Sequence, residues 1–449
     1  MPHVELERNW ASMAEIRPFR GVHYNQLLIK DLSTVICSPY DIITPQLQEE
    51  LYHRSQHNFI RLEHARELPQ DTVTDNKYTR SAATLEQWLK QGILKVDELP
   101  AIYLHDHFFT YQGKEYKRCG ITARVRLEEW EKMVIRPHEG TLAEPKNDRV
   151  SLLQALQANT SPILALFEDQ EQQISSLLAT QKSKNKPLIS LNSLNGESHN
   201  IWAITQPEIV NQLCNNLAEQ PLYIADGHHR YESALAYQRE RETSSDSVSR
   251  DEASNFVMMT LVDFSDPGLI ILPPHRLLRG ISKPILNGLM TKLRAFFEVE
   301  ELPLDMPDVW QQVDDLLIKT NEIRLFLFGL VSEHLLALKL RDFAAASRMM
   351  PYFHSEIYKR LDVSIADHII LENLLGLSSG KEEARIAYSY DRQDTVNRVL
   401  DQEYQLAFLL SPVKAGVIKA ISDVGDRMPR KSTYFYPKLP AGLVFYQLV

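Results

Sequence analysis

The sequence holds only three cysteines, Cys37, Cys119 and Cys214, and they lie far apart. They make no CxxC pair and no disulfide framework, which fits a reducing, cytoplasmic compartment. No apolar run approaches the ~18 residues that a membrane helix needs. The first residues, MPHVELERNW, lack the charged-then-apolar pattern of a secretory signal. An excess of positive charge is missing too: 49 Lys and Arg stand against 59 Asp and Glu, a formal net charge of -10. That balance argues against a protein that coats nucleic acid. Neither GxGxxG nor a GxxxxGK followed by Ser or Thr occurs, so the familiar nucleotide cradles are absent, and no HExxH marks a zinc protease.

What remains is an ordinary globular composition, 44% hydrophobic and 24% charged over 449 residues. That length is enough for two or three domains. Thr44 and Pro45 predict the cap and first residue of a helix running to about Gln56. A second helix is expected from Asn76 to Gln91, ended by Gly92. The segment 101–127, rich in aromatic and β-branched residues with Gly113 in its middle, predicts a hairpin. A polar loop then leads to a helix capped near Asn147 and a strand over Ile163 to Phe167. ETSSDSVSRDEAS (242–254) is a polar, low-complexity insertion, NFVMMTLVDF a buried strand, and ILPPHRLLRG a structured loop. From about Ser282 helices and strands alternate, SIADHIILENLLGL predicts an amphipathic helix, and a domain boundary is placed near 280. The tail MPRKSTYFYPKLPAGLVFYQLV is expected to pack back on the body.

Chemistry concentrates in two places. YIADGHHRYESALAY reads as strand, turn and helix, with Asp226 as N-cap and His228, His229 and Arg230 in the first turn. Free N–H groups and the positive end of the helix dipole meet there, which suits phosphate. Arg230 adds a two-pronged donor, and Gly227 allows close approach of backbone to ligand. The second place is PHEGTLAEPKNDR. Lys146 and Arg149 are expected to flank another helix start, again suited to phosphate. Glu139 is a candidate general base, with His138 and Thr141 as substrate contacts. His105 and His107 share one face of a strand, as metal ligands could, but exposed polar strand residues are commoner and no protein metal site is expected. SPYD (38–41) and PPHR (273–276) are compact polar turns with no motif value alone. Lys431, Tyr434 and Lys438 could close over an anion, although a charged tail is usually solvated.

ADGHHR resembles the phosphate-handling motif of the ParB/sulfiredoxin-like superfamily, and its D-G-H-H-R form is similar to that of the free-serine kinases in that group. The wider set RPFRGV, PYD, HEGT, PKNDR, SPI, ADGHHRYESAL, LPPHR and MPRKSTYFYPKLP resembles the prokaryotic family called domain of unknown function 1015 over nearly the whole chain. LPPHR departs from the LPTHR of that family, which removes a hydroxyl. The resemblance implies a mixed α+β fold: a ParB/sulfiredoxin-like nucleotide-binding core over 1–280, with an additional α/β C-terminal region over 281–449. It implies Asp226, Gly227, His228, His229 and Arg230 as phosphate and substrate contacts. The expected activity is transfer of a phosphoryl group from ATP or ADP, with Mg²⁺, to a small hydroxyl-bearing metabolite, free L-serine first. The rivals are a ParB-like nucleotide-binding regulator associated with DNA and a metal-dependent phosphoesterase. Neither nucleic acid nor a membrane is the expected partner.

Overall fold

The computed structural model describes residues 14–141, 143–192, 196–218, 220–244, 249–319, 322–377 and 384–448. The sequence 1–10 and residues 245–248 of the polar insertion lie outside these. The chain divides into two compact units. The first holds residues 1–137, 141–269 and 437–449, and the second holds 138–140 and 270–436.

The first unit is built on a nine-stranded mixed sheet. Its order is Ile135–Arg136, Leu222–Asp226, Ile163–Phe167, Phe256–Asp263, Lys114–Arg126, Ile102–Tyr111, Ser198–Ile204 and Ile189–Asn192, with Ile16–Arg17 paired beside Lys114–Arg126. The central strand Ile163–Phe167 is apolar throughout and buried throughout, the pattern of a strand covered on both faces. The long hairpin turns at Gln112 and Gly113, both with positive φ, as a two-residue connection requires. Thr44 caps the helix Pro45–Arg54 through its side chain. Asn76 caps Lys77–Lys90. A smaller four-stranded sheet joins Leu94–Val96, Gly21–Tyr24, Phe445–Gln447 and Ala158–Asn159. The last strand of the chain thus lies inside the first unit, next to one of its earliest.

The helix expected to start near Asn147 begins earlier and spans Ala143–Leu156. Pro145 is tolerated there because first-turn N–H groups have no intrahelical partner in any case. This helix packs on His228–Ser244, where the Ser233 hydroxyl donates to the Lys146 carbonyl at 3.0 Å.

The second unit carries a six-stranded antiparallel sheet in the order Phe297–Pro303, His334–Leu340, Arg324–Phe328, Leu406–Leu409, His275–Leu278 and Ile386–Ser389. The ILPPHRLLRG segment is not a loop. It forms Ile270–Leu272 and His275–Leu278, broken only at the two prolines. Arg276 is fully buried there and faces the buried Asp367. The expected amphipathic helix is instead mostly buried, and its turns widen to the π form over Ile365–Leu374. The fold is mixed α/β. Among the described residues no helix is long and apolar enough to cross a membrane.

Candidate functional site

The strand Leu222–Asp226 buries its first four residues and brings Asp226 to its end. Its register against Ile163–Phe167 shifts between Ile224 and Asp226. Asp226 is therefore still a strand residue rather than the helix cap. The first helical bond runs from the Tyr231 N–H to the Gly227 carbonyl at 3.0 Å, which puts Gly227 at the cap. Gly227 has φ 95°, and a Cβ on it would come within 2.9 Å of Arg230 Nε. Only glycine fits there without strain.

Freed from capping, Asp226 takes two cations. Arg230 Nη2 donates to its Oδ2 at 2.7 Å, and Lys438 Nζ pairs with its Oδ1. Lys438 also lies 3.5 Å from Asp41, so one ammonium serves two carboxylates. Burial pushes the Asp226 carboxyl up, but Lys438 and Arg230 outweigh it and hold the group well below the usual carboxylate range. Arg230 Nη1 donates to the Pro162 carbonyl at 2.6 Å and to Ser161 Oγ at 3.2 Å. Its Nε–H is buried and has no hydrogen-bond partner. Buried donors are nearly always paired, so this Nε–H is an exception within the cluster.

A second layer supports the first. Ser161 Oγ donates to Glu63 Oε1 at 3.0 Å. Glu63 is fully buried, and its Oε2 has no partner. Arg149 is buried as well. Its Nη1 donates to the Glu63 carbonyl at 2.9 Å, its other nitrogens hold Asp148, and its guanidinium lies 4.1 Å from the Tyr40 ring centre. Burial pushes the Tyr40 phenol up to about 12. Arg149 thus belongs to the same cluster as Arg230, but from the second turn of its helix, where it supports the walls rather than flanking a helix start.

The remaining expected residues are spread more widely. Lys146 is half-buried, with its carbonyl engaged by Ser233. Thr141 donates to Glu232 at 2.5 Å. His228 is buried beside Asp226, and the His229 carbonyl accepts from Ser233 at 2.7 Å. His138 and Glu139 belong to the second unit. There His138 Nε2 meets Thr433 Oγ1 at 2.9 Å. Glu139 Oε1 accepts from the Ser432 and Thr433 amides and the Thr433 hydroxyl at 2.9–3.1 Å.

The reading of the site from sequence missed Asp41, Glu63 and Ser161, and it set Lys438 aside as tail charge. Asp41 stood in the SPYD turn and Lys438 in a Lys-rich tail, so a weak signal existed for both. Glu63 and Ser161 carried none. His105 and His107 do share a face, but they are buried rather than exposed.

A family model described as protein of unknown function, DUF1015, matches residues 16–364. The chain belongs to the DUF1015 family. That DUF1015 match includes Asp41, the 138–149 segment and the 226–230 turn, while Lys438 lies beyond it. No curated protein matches the sequence. Similar solved structures include a conserved hypothetical protein from Pyrococcus furiosus, at 13% identity and TM-score 0.34, covering 73% of this chain and 95% of that one. Another is a free serine kinase in complex with ADP, at 12% identity and TM-score 0.34, covering 72% and 92%. A third is C-terminally truncated SbnI from Staphylococcus aureus, at 11% identity and TM-score 0.34, covering 72% and 85%.

Proposed function

We propose that this DUF1015 chain is a nucleotide-dependent phosphotransferase acting on a small hydroxyl compound. The observation that carries the reading is the Asp226–Arg230–Lys438 cluster behind the Gly227 cap. Phosphoryl transfer needs positive charge around the moving group and a carboxylate that fixes geometry. Arg230 and Lys438 supply the charge, and the backbone N–H groups of the first helical turn add donors. A carboxylate held far below its usual range accepts a proton poorly near neutral pH, so Asp226 orients rather than deprotonates. The candidate for the proton acceptor within the first unit is Asp41, a third exposed beside Lys438.

In this reading the donor is ATP or ADP and the core is ParB/sulfiredoxin-like. Mg²⁺ would enter with the nucleotide and supply neutralisation of phosphate charge, with Asp41 as the residue to hold it, because both oxygens of Asp226 are already held by Lys438 and Arg230. Free L-serine is the first acceptor to test, chosen from the D-G-H-H-R motif. The test is transfer of labelled phosphate from ATP or ADP to serine and related hydroxyl compounds. Labelled product supports the reading. Its absence with every nucleotide and acceptor, while the protein is folded, ends it.

A further inference from the structure

Three arginines converge on a cleft of the first unit whose walls share no residue with the Asp226 cluster. Its volume is about 470 Å³, in the range of small-molecule sites. The helix Pro45–Arg54 supplies Tyr52, the short helix Ile60–Glu63 supplies Arg61, and the chain beyond it supplies Arg66 and Leu68. Arg80 and Thr84 come from the helix Lys77–Lys90, where a spacing of four puts both on one face. No carboxylate lines the cleft.

Tyr52 and the Arg66 backbone hold the three guanidiniums together. Arg61 lies 4.3 Å and Arg66 3.8 Å from the Tyr52 ring centre. Arg61 Nε and Nη2 donate to the Gln56 and Tyr52 carbonyls at 2.9 and 3.2 Å. The Arg66 amide donates to the Tyr52 hydroxyl at 3.0 Å, and the Arg66 carbonyl accepts from Arg80 Nη2 at 2.9 Å. Nearby carboxylates neutralise the three unequally. Asp71 holds Arg80 with two prongs at 2.6 and 3.0 Å, and the exposed Asp75 adds a contact at 3.3 Å. Arg66 Nη2 is 2.6 Å from Glu49 Oε2, an ion pair rather than an aligned hydrogen bond. Glu49 is 57% exposed and is shared with His53. Arg61 has no carboxylate partner among the described residues.

We propose that this cleft binds the phosphate group of a small phosphorylated molecule, with Arg61 and Arg66 as its donors. A guanidinium fork matches the spacing of phosphate oxygens, and two forks on one ring form a rigid pair. Arg80, already satisfied by Asp71, adds only its field. Glu49 is the internal competitor: phosphate takes its place at Arg66, and the exposed Glu49 side chain turns to solvent. Ala65 and Leu68 give an apolar patch for the body of the ligand, in a cleft with room for more than a bare phosphate.

This site is separate from the phosphotransferase reading and stands or falls without it. The test is calorimetric titration of the full-length chain with inorganic phosphate and, separately, with glycerol 3-phosphate. The expected result is one anion per chain bound in a way that survives in a folded Arg230→Lys, and that weakens as salt is added. Arg61→Gln should weaken this binding at least about tenfold. Glu49→Gln, on an exposed side chain whose loss leaves the fold intact, should tighten it several-fold by removing the competitor. Tighter binding of the ester assigns the phosphate to a phosphorylated metabolite, and equal binding assigns it to free phosphate; both support the site. The proposal is overturned by the absence of binding, by binding that Arg230→Lys abolishes while Arg61→Gln keeps it, or by an affinity that Glu49→Gln leaves unchanged or lowers.

Discussion

Lys438 and Asp226 form an ion pair across 212 positions of sequence. The last stretch of the chain thereby supplies a charge to the turn that carries the DGHHR motif, and Asp226 becomes the hub of two cations instead of a helix cap.

That difference is measurable in stability. As a cap, Asp226 could be replaced by Asn at almost no cost. As a hub, its loss leaves Arg230 and Lys438 buried without their shared carboxylate. Asp226→Asn should cost about 3–5 kcal/mol. Lys438→Met, which leaves the Arg230 pair intact, should cost less, about 1–3 kcal/mol. Denaturant unfolding of both variants gives the ranking, and a harmless Asp226→Asn contradicts it.

The base is decided by amide substitutions. If Asp41 takes the proton of the acceptor, Asp41→Asn should lower kcat by about 100-fold or more while nucleotide binding holds. Glu139→Gln should then leave the rate within a few-fold. An Asp41→Asn variant that keeps the full rate contradicts that role. The rate of phosphate transfer in each variant is the readout.

Stability should fall on mild acidification. Burial holds His105 and His107 well below the usual histidine value and His199 at about 3. The unfolded chain protonates these groups near pH 6.5, and the folded chain does not. Their contribution is therefore complete above about pH 6.5 and is lost as pH falls toward 3, by up to about 1.4 kcal/mol per pH unit for each histidine. Melting temperature between about pH 7.5 and pH 5 should drop, and His105→Gln should drop less steeply. A melting temperature flat across that window contradicts the buried-neutral assignment.

Local structure was legible where side chains act on their own backbone. The Thr44 and Asn76 caps, the Gly113 turn and the apolar strand Ile163–Phe167 all follow from residues within a few positions. The site was legible only in part, because its partners come from distant segments. Asp226 looked like a cap since the polar residue before a helix usually is one. The distant Lys438 and the shifted register at the strand end redirected it. His105 and His107 looked exposed because strand polarity alone does not show what covers a sheet. Glu63 and Ser161, which back Arg230, have no local signature at all.

The proposed phosphotransferase activity rests on Arg230 contacting the transferred phosphate. Its most direct test is labelled phosphate transfer from ATP or ADP to serine by the wild-type chain beside Arg230→Lys. Lysine keeps the charge but loses the two-pronged geometry and the Nε–H. The result expected is transfer by the wild type, with nucleotide affinity and rate both lowered in a folded Arg230→Lys. Wild-type activity with an Arg230→Lys variant that binds and transfers equally well would contradict it.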